Sequence, residues 1–224
     1  MREMIRNGGF FPSDPEHLAR FARLSLEDCL EADLLGAWTN YDAELPVNLK
    51  ASRVPLMDLE PYFHSDPWTQ ALQGKRVLVV HPFEKTIQRQ YARRTELFKD
   101  PRILVDFTLL TFPAVQSLGG QCPAFKDWFA ALDWMEKGIA ALEFDVAIIG
   151  AGAYGLSLAA YIKRDLGKKA IHLGGATQVL FGIKGRRYDV RPEYATELYN
   201  DAWVRPASDE VPASASQVEG GCYW

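Results

Sequence analysis

Three short segments of this sequence place glycine, histidine or hydroxyl residues directly after an apolar run. The best defined spans residues 150–155, where Gly150, Gly152 and Gly155 have the spacing G-x-G-x-x-G after the run Val-Ala-Ile-Ile. Glycines permit a tight turn and let a ligand approach the backbone, and the free N–H groups of a following helix attract phosphate. The segment therefore predicts a phosphate or nucleotide site.

Two other interpretations of residues 150–155 stay open. An NAD(P)- or FAD-dependent oxidoreductase uses the same spacing, but it needs an acidic residue about 20 positions later to hold the ribose. That place holds His172 and Gly174, and no acid lies between Asp165 and Asp189. The other interpretation is a structural turn, in which the glycines only let a strand pack closely against a helix.

The second segment follows the run Val-Leu-Val-Val and contains His81, Glu84, Lys85 and Thr86. If a helix begins here, its first N–H groups, the Lys85 ammonium and the Thr86 hydroxyl are suited to a diphosphate. The segment lacks the glycines of a Walker loop. The structural alternative is that Glu84 and Thr86 only begin a helix, while His81 is hydrogen-bonded within the turn.

The third segment contains His172, Gly174 and Gly175, again after an apolar run. Two adjacent glycines at a strand end indicate close approach of the backbone to another group. An imidazole at this place is a candidate general base or phosphate ligand, and a structural histidine is the alternative.

The elements that position these segments alternate between strand and helix from residue 75 to residue 173. Apolar patterns predict strands at residues 75–80, 102–110, 144–149 and 170–173, with helices at 84–99, 123–142 and 156–166 between them. Such alternation predicts a parallel sheet, and ligands of parallel sheets bind at the carboxyl ends of the strands. We therefore expect the three segments to share one rim.

The remaining chain is predicted to join the same domain. A helix capped by Ser13 or Asp14 should reach about residue 32, followed by strands at residues 33–38 and 53–59. We expect an α/β fold with a single Rossmann-like domain at residues 1–205, a mostly parallel sheet and helices on both faces. Residues 206–224, rich in Pro, Ser and Ala, are predicted to form an extended C-terminal tail whose aromatic end, Tyr223 and Trp224, can fold back onto the body.

The composition excludes some function classes. The 224 residues carry a net charge of −4, which argues against nucleic-acid binding because phosphate contacts need clustered Lys and Arg. No signal peptide or membrane-spanning run is recognised, so any contact with a membrane should be peripheral. Three scattered cysteines, Cys29, Cys122 and Cys222, fit neither a zinc site nor a disulfide framework and predict a reducing, cytoplasmic location.

Four segments carry a family resemblance: residues 75–87 (KRVLVVHPFEKTI), 145–164 (DVAIIGAGAYGLSLAAYIKR), 170–187 (AIHLGGATQVLFGIKGRR) and the terminal EGGCYW. They resemble uncharacterised proteins of bacterial exopolysaccharide and surface-glycan gene clusters. That group is similar in layout to the GT-D-type glycosyltransferases. The resemblance implies a nucleotide-diphosphate sugar as donor, a glycan or lipid-linked acceptor, and a hexosyl-transfer activity. A non-catalytic binding module of a glycan-assembly complex is the alternative.

The resemblance also implies roles for the three segments. By position, the loop near the donor diphosphate would contain His81, Glu84, Lys85 and Thr86; the second loop Gly150, Gly152, Tyr154 and Gly155; and the third His172, Gly174 and Gly175. His172 or His81 would act as the base.

GT-D enzymes hold Mg²⁺ or Mn²⁺ with an acidic triplet on an early strand. This chain begins with a turn and a helix, and its acids Asp58 and Glu60 do not stand at the matching place. We therefore assign no metal ligand, and expect either a start that is truncated or a metal site that is lost.

Overall fold

A computed structural model describes residues 7–37, 48–117, 122–218 and 220–224. The strands are β1 (Leu34–Ala37), β2 (Ser52–Pro55), β3 (Arg76–His81), β4 (Thr108–Pro113), β5 (Val146–Ile149) and β6 (Lys169–His172). The α-helices are α1 (Pro15–Cys29), α2 (Glu84–Tyr91), α3 (Trp128–Ala140), α4 (Gly155–Arg164), α5 (Ala176–Leu180), α6 (Arg186–Asp189) and α7 (Pro192–Ala195).

The central sheet has four parallel strands in the order β4–β3–β5–β6. Val80 of β3 lies opposite both Phe112 of β4 and Ile149 of β5, so the carboxyl ends of these strands are level. The predicted α/β class with parallel strands is therefore confirmed, and the predicted strand at residues 75–80 lies within one position of β3.

The sheet separates two apolar cores because β3 and β5 are buried on both faces. Val77 and Val79 point into one core, formed with α2, α5 and the chain that follows α5. Leu78 and Val80 point into the other, formed with α1, α3 and α4. All four side chains are fully buried. Continuous apolar runs of this kind are typical of parallel strands covered by helices on both sides.

Two predicted elements end or begin elsewhere. The strand predicted at residues 102–110 is β4, at Thr108–Pro113, and the helix predicted at residues 84–99 ends at Tyr91. The Tyr91 hydroxyl donates to the Phe107 carbonyl at 2.8 Å and accepts from the Phe107 N–H at 2.6 Å. The backbone between α2 and β4 is thus irregular, yet it buries Leu97, Phe98, Ile103 and Leu104. These buried apolar residues are the reason why the helix was predicted to end too late and the strand to begin too early.

The N-terminal part adds a smaller pair of strands. Asp14 caps α1 by accepting from the N–H groups of Glu16 and His17, as expected from the cap signal. β1 and β2 are parallel, and the second of the two ends at Pro55, where the prediction continued to residue 59. Residues 56–59 form a 3-10 turn instead, because proline offers no N–H to continue a ladder. Residue 38 lies outside the described residues.

The chain after residue 205 packs against the domain. It forms 3-10 turns at Ser208–Glu210 and Ala215–Gln217, and Val218 and Cys222 are buried. Within the described ranges, no helix has both the length and the apolar character to cross a lipid bilayer.

Candidate functional site

A cavity of about 290 Å³ lies at the carboxyl ends of β3, β5 and β6. Each strand end contributes predicted site residues to its wall: His81 at the end of β3, Gly150 and Gly152 after β5, and His172 at the end of β6, followed by Gly174. The expectation that three segments share one rim agrees with this geometry, because level parallel strands deliver their following loops to the same edge.

His81 is held in one tautomer. It is 4% exposed, and its Nδ1 accepts the Phe83 N–H at 3.0 Å. Nδ1 therefore carries no hydrogen, and the neutral ring has its hydrogen on Nε2. Burial lowers the pKa of His81 to about 3, so the ring stays neutral at pH 7. A neutral imidazole in this tautomer is a donor at Nε2.

His172 has a different environment from His81. The residue is exposed and lines the cavity, and no hydrogen-bond partner is found for it among the described residues. Protein atoms around the cavity lower the pKa of His172 to about 4. The imidazole is therefore neutral and able to accept a proton at pH 7.

The glycines of residues 150–155 fit their neighbours closely. A Cβ at Gly155 would lie 2.2 Å from Nε2 of His172, and one at Gly150 would lie 2.5 Å from Cδ2 of His81. Gly152 adopts a φ of +54°, a conformation that side chains rarely take. Gly150 and Gly155 therefore leave the space that the two histidines occupy, whereas the structural alternative had assigned the glycines to close packing of a strand against a helix.

The N-terminal turn forms one wall of the cavity. The Ser117 hydroxyl donates to the Gly9 carbonyl, so the Tyr154 hydroxyl is the donor in its 2.7 Å contact with Ser117. The Tyr154 ring stacks on Trp128, and burial raises its pKa. Tyr154 thus holds Gly9 in place through Ser117. Its hydroxyl hydrogen is donated to Ser117 and is not available to a ligand.

Three residues near the end of the sequence form another part of the cavity wall. Val218, Tyr223 and Trp224 line the cavity, and the Gln178 carboxamide holds this segment by donating to the Tyr223 carbonyl at 3.2 Å. The predicted glycine Gly175 also lines the cavity, directly below the Tyr223 ring. The aromatic end of the sequence was the signal for this wall, although Gln178 and Trp224 were not among the predicted site residues.

The predicted diphosphate loop at the start of α2 is filled by another part of the chain. The Glu210 carboxylate accepts from the N–H groups of Lys85 at 2.8 Å and Thr86 at 3.2 Å, and from the Thr86 hydroxyl. The Lys85 ammonium pairs with Asp209 at 2.7 Å. Neither Lys85, Thr86 nor Glu84 lines the cavity. An internal carboxylate thus occupies the anion position that the helix start provides.

The acidic residues Asp58 and Glu60 do not line the cavity. Asp58 is exposed in the 3-10 turn, whereas Glu60 is buried and accepts from the hydroxyls of Tyr62 and Tyr194. The two carboxylates therefore do not converge. In the described part of the chain, no group of three or more His, Cys, Asp or Glu side chains is placed to hold a metal ion.

The cavity lining exposes more apolar than polar surface, and those of its lining side chains that the structure describes carry no formal charge. A cation close to two lining residues is Arg187, whose Nη1 would lie 3.6 Å from a Cβ at Gly175 and donates to the Tyr223 hydroxyl at 3.1 Å.

Comparisons with protein-family models, with curated proteins and with solved structures give no match for this chain.

Proposed function

We propose that the chain is a glycosyltransferase-like domain that binds a nucleotide-diphosphate sugar, in the assembly of a bacterial surface polysaccharide. The observation that carries the proposal is the convergence of three glycine- and histidine-bearing strand ends on one cavity. Ligands of open parallel sheets bind at this place. The family resemblance of residues 75–87, 145–164 and 170–187 supplies the ligand class.

The size of the cavity limits which part of the donor it holds. Pockets for whole drug-sized ligands have volumes of roughly 300–1,000 Å³. The observed 290 Å³ is at the lower end of this range, so we expect the cavity to hold part of a nucleotide-diphosphate sugar, with the rest of the ligand at the rim. A diphosphate there would meet the Arg187 guanidinium and the glycine backbone of residues 150–155, which are suited to an anion.

Hydride transfer is less well supported by the cavity. A dinucleotide needs an acidic side chain for its ribose, and none of the described residues that line the cavity is acidic. His172 stands where that acid would be, at the end of β6.

His172 is the better candidate base of the two histidines. In transfer, the acceptor hydroxyl gives its proton to His172 while its oxygen attacks the anomeric carbon. The bond from that carbon to the diphosphate oxygen breaks, and the nucleoside diphosphate leaves with the electron pair. His81 already has the proton on Nε2 and a pKa of about 3, so its role is that of a donor.

A ligand screen by thermal denaturation tests the proposal. UDP-glucose, GDP-mannose, a CMP-linked sugar and NAD are compared, each with and without Mn²⁺, because a diphosphate can bring a divalent ion with it. We expect a rise in melting temperature with one sugar nucleotide and none with NAD. Stabilisation by NAD alone would support the oxidoreductase alternative and reject the proposal.

Turnover separates an enzyme from a binding module. Release of free nucleoside diphosphate is measured with the sugar nucleotide that stabilises the protein, and with His172→Asn as the comparison. We expect the variant to bind the donor and to lose at least about 100-fold in rate, the usual size of a general-base contribution. If the protein binds the donor but releases no nucleoside diphosphate with any of a panel of glycan acceptors, transfer is rejected and the non-catalytic binding module is supported.

A further inference from the structure

We infer that the glycosyl ring of the donor, and not its diphosphate, occupies the floor of the cavity between Gln178 and Trp224. The inference rests on the proposed function, and it names the part of the ligand that each part of the site recognises. It is carried by two buried polar atoms that have no hydrogen-bond partner in the part of the chain that the structure describes.

The first of these atoms is the Gln178 carboxamide oxygen. Gln178 is fully buried, and its nitrogen donates to the carbonyls of Ile183 at 3.3 Å and Tyr223 at 3.2 Å. Those two bonds fix which end of the amide is oxygen. The oxygen has no hydrogen-bond partner, although Gln178 lines the cavity. An amide oxygen only accepts, so its missing partner is a donor.

The second atom is the indole nitrogen of Trp224. It is buried without a partner, and Trp224 lines the same cavity. The ring is held by edge contacts, with centroids 6.3 Å from Phe83 and 6.0 Å from Tyr223. An indole N–H only donates, so its missing partner is an acceptor.

A ligand that satisfies both atoms must offer a donor and an acceptor. A hydroxyl group does both, and a sugar ring carries several. A diphosphate at neutral pH offers acceptors alone, so it would leave the Gln178 oxygen facing another lone pair. Leaving a buried polar atom unpaired is costly, and the aromatic side chains of this wall favour an uncharged ring. The Gln178 oxygen and the Trp224 indole nitrogen together therefore favour the sugar over the diphosphate.

Calorimetric titration of the nucleotide with and without its sugar tests this inference. UDP is compared with UDP-glucose, and GDP with GDP-mannose, on the full chain and on Trp224→Phe. The variant keeps an aromatic ring and removes an N–H that has no protein partner, so folding should be retained. For the wild type, we expect the sugar to strengthen binding at least about tenfold, the effect of one well-made hydrogen bond. The variant should lose most of that gain and keep its affinity for the free nucleotide.

Trp134→Phe is the matched control, because Trp134 is an exposed residue of α3 that does not line the cavity. It should behave as the wild type. Equal affinity for nucleotide and sugar nucleotide in the wild type would overturn the inference and leave the proposed function standing. A gain from the sugar that survives in Trp224→Phe would also overturn it. Binding of neither compound would overturn the proposed function, and the inference with it.

Discussion

The carboxylate of Glu210 lies at the N-terminus of α2, where it accepts the Thr86 N–H at 3.2 Å and the Thr86 hydroxyl. This contact joins residues 124 positions apart in the chain. It attaches the segment after residue 205 to the helix that follows β3. The same segment supplies Val218, Tyr223 and Trp224 to the cavity, so the Glu210 contact supports one wall of the site.

Removing the charge of Glu210 should therefore weaken both the fold and the site. Glu210→Gln replaces one of the two acceptor oxygens with an NH₂ group. This donor would face other donors, which include the Ala207 N–H, now 3.3 Å from a Glu210 oxygen. We expect a loss of about 1.5–3 kcal/mol in the free energy of unfolding, the range for hydrogen bonds to charged groups. Urea denaturation measures it. Asp209→Asn, which breaks only an exposed pair with Lys85, is the control and should change stability little. Equal effects of the two substitutions on the free energy of unfolding would contradict a stabilising role of the Glu210 contact.

The buried hydroxyl of Thr177 has no hydrogen-bond partner among the described residues. Thr177→Val keeps the shape and removes a polar atom that is buried at a cost, so stability should stay the same or rise by up to about 1 kcal/mol. Thr69→Val is the matched control, because the equally buried Thr69 hydroxyl contacts the Arg102 carbonyl at 3.3 Å. The control should lose about 1 kcal/mol. A clear loss in Thr177→Val would show that its hydroxyl is bonded.

The contact between Gly155 and His172 predicts a strong coupling. Gly155→Ala adds a Cβ that would lie 2.2 Å from the His172 Nε2, and the resulting strain should cost about 1–3 kcal/mol of stability. In the His172→Ala background the space is free, and alanine should then stabilise α4 by up to about 1 kcal/mol. A double-mutant cycle measures the difference. Additive effects would mean that the imidazole does not lie over Gly155.

His81 predicts a dependence of stability on pH. Its pKa in the folded protein, about 3, is below the ordinary 6.5, so between these values the unfolded chain binds a proton that the folded protein does not. Stability should therefore fall as the pH falls below 6.5. His81→Gln removes this group, and the stability difference between wild type and variant should change by about 2 kcal/mol in favour of the variant from pH 7.5 to pH 5. Urea denaturation at the two pH values measures it. A constant difference would contradict the burial of a neutral ring.

The sequence patterns were most informative where one physical cause dominates. β3 and β5 are buried on both faces, and their continuous apolar runs predicted them closely. The start of β4 was predicted six residues too early, at residue 102, because Ile103, Leu104 and Phe107 are buried although their backbone is irregular. Apolar periodicity reports burial, and it does not distinguish a strand from a packed loop.

The candidate site was predictable to a similar extent. The rim residues His81, Gly150 and His172 follow from the order of strands, which the alternating pattern indicates. The position of Glu210 could not be predicted, because nothing local connects a lone acid in a polar segment to a helix start elsewhere in the chain. The same holds for Gln178, whose importance depends on which of its two amide atoms is left without a partner.

The central claim is that a sugar nucleotide binds in the cavity at the ends of β3, β5 and β6. The most direct measurement follows the indole N–H signals in a ¹H–¹⁵N correlation spectrum during a titration, with the Trp224 signal identified by its loss in Trp224→Phe. We predict that UDP-glucose or GDP-mannose shifts the Trp224 signal in a saturable manner and leaves the Trp134 signal in place. A Trp224 signal that stays unchanged with both compounds at millimolar concentration would contradict the account.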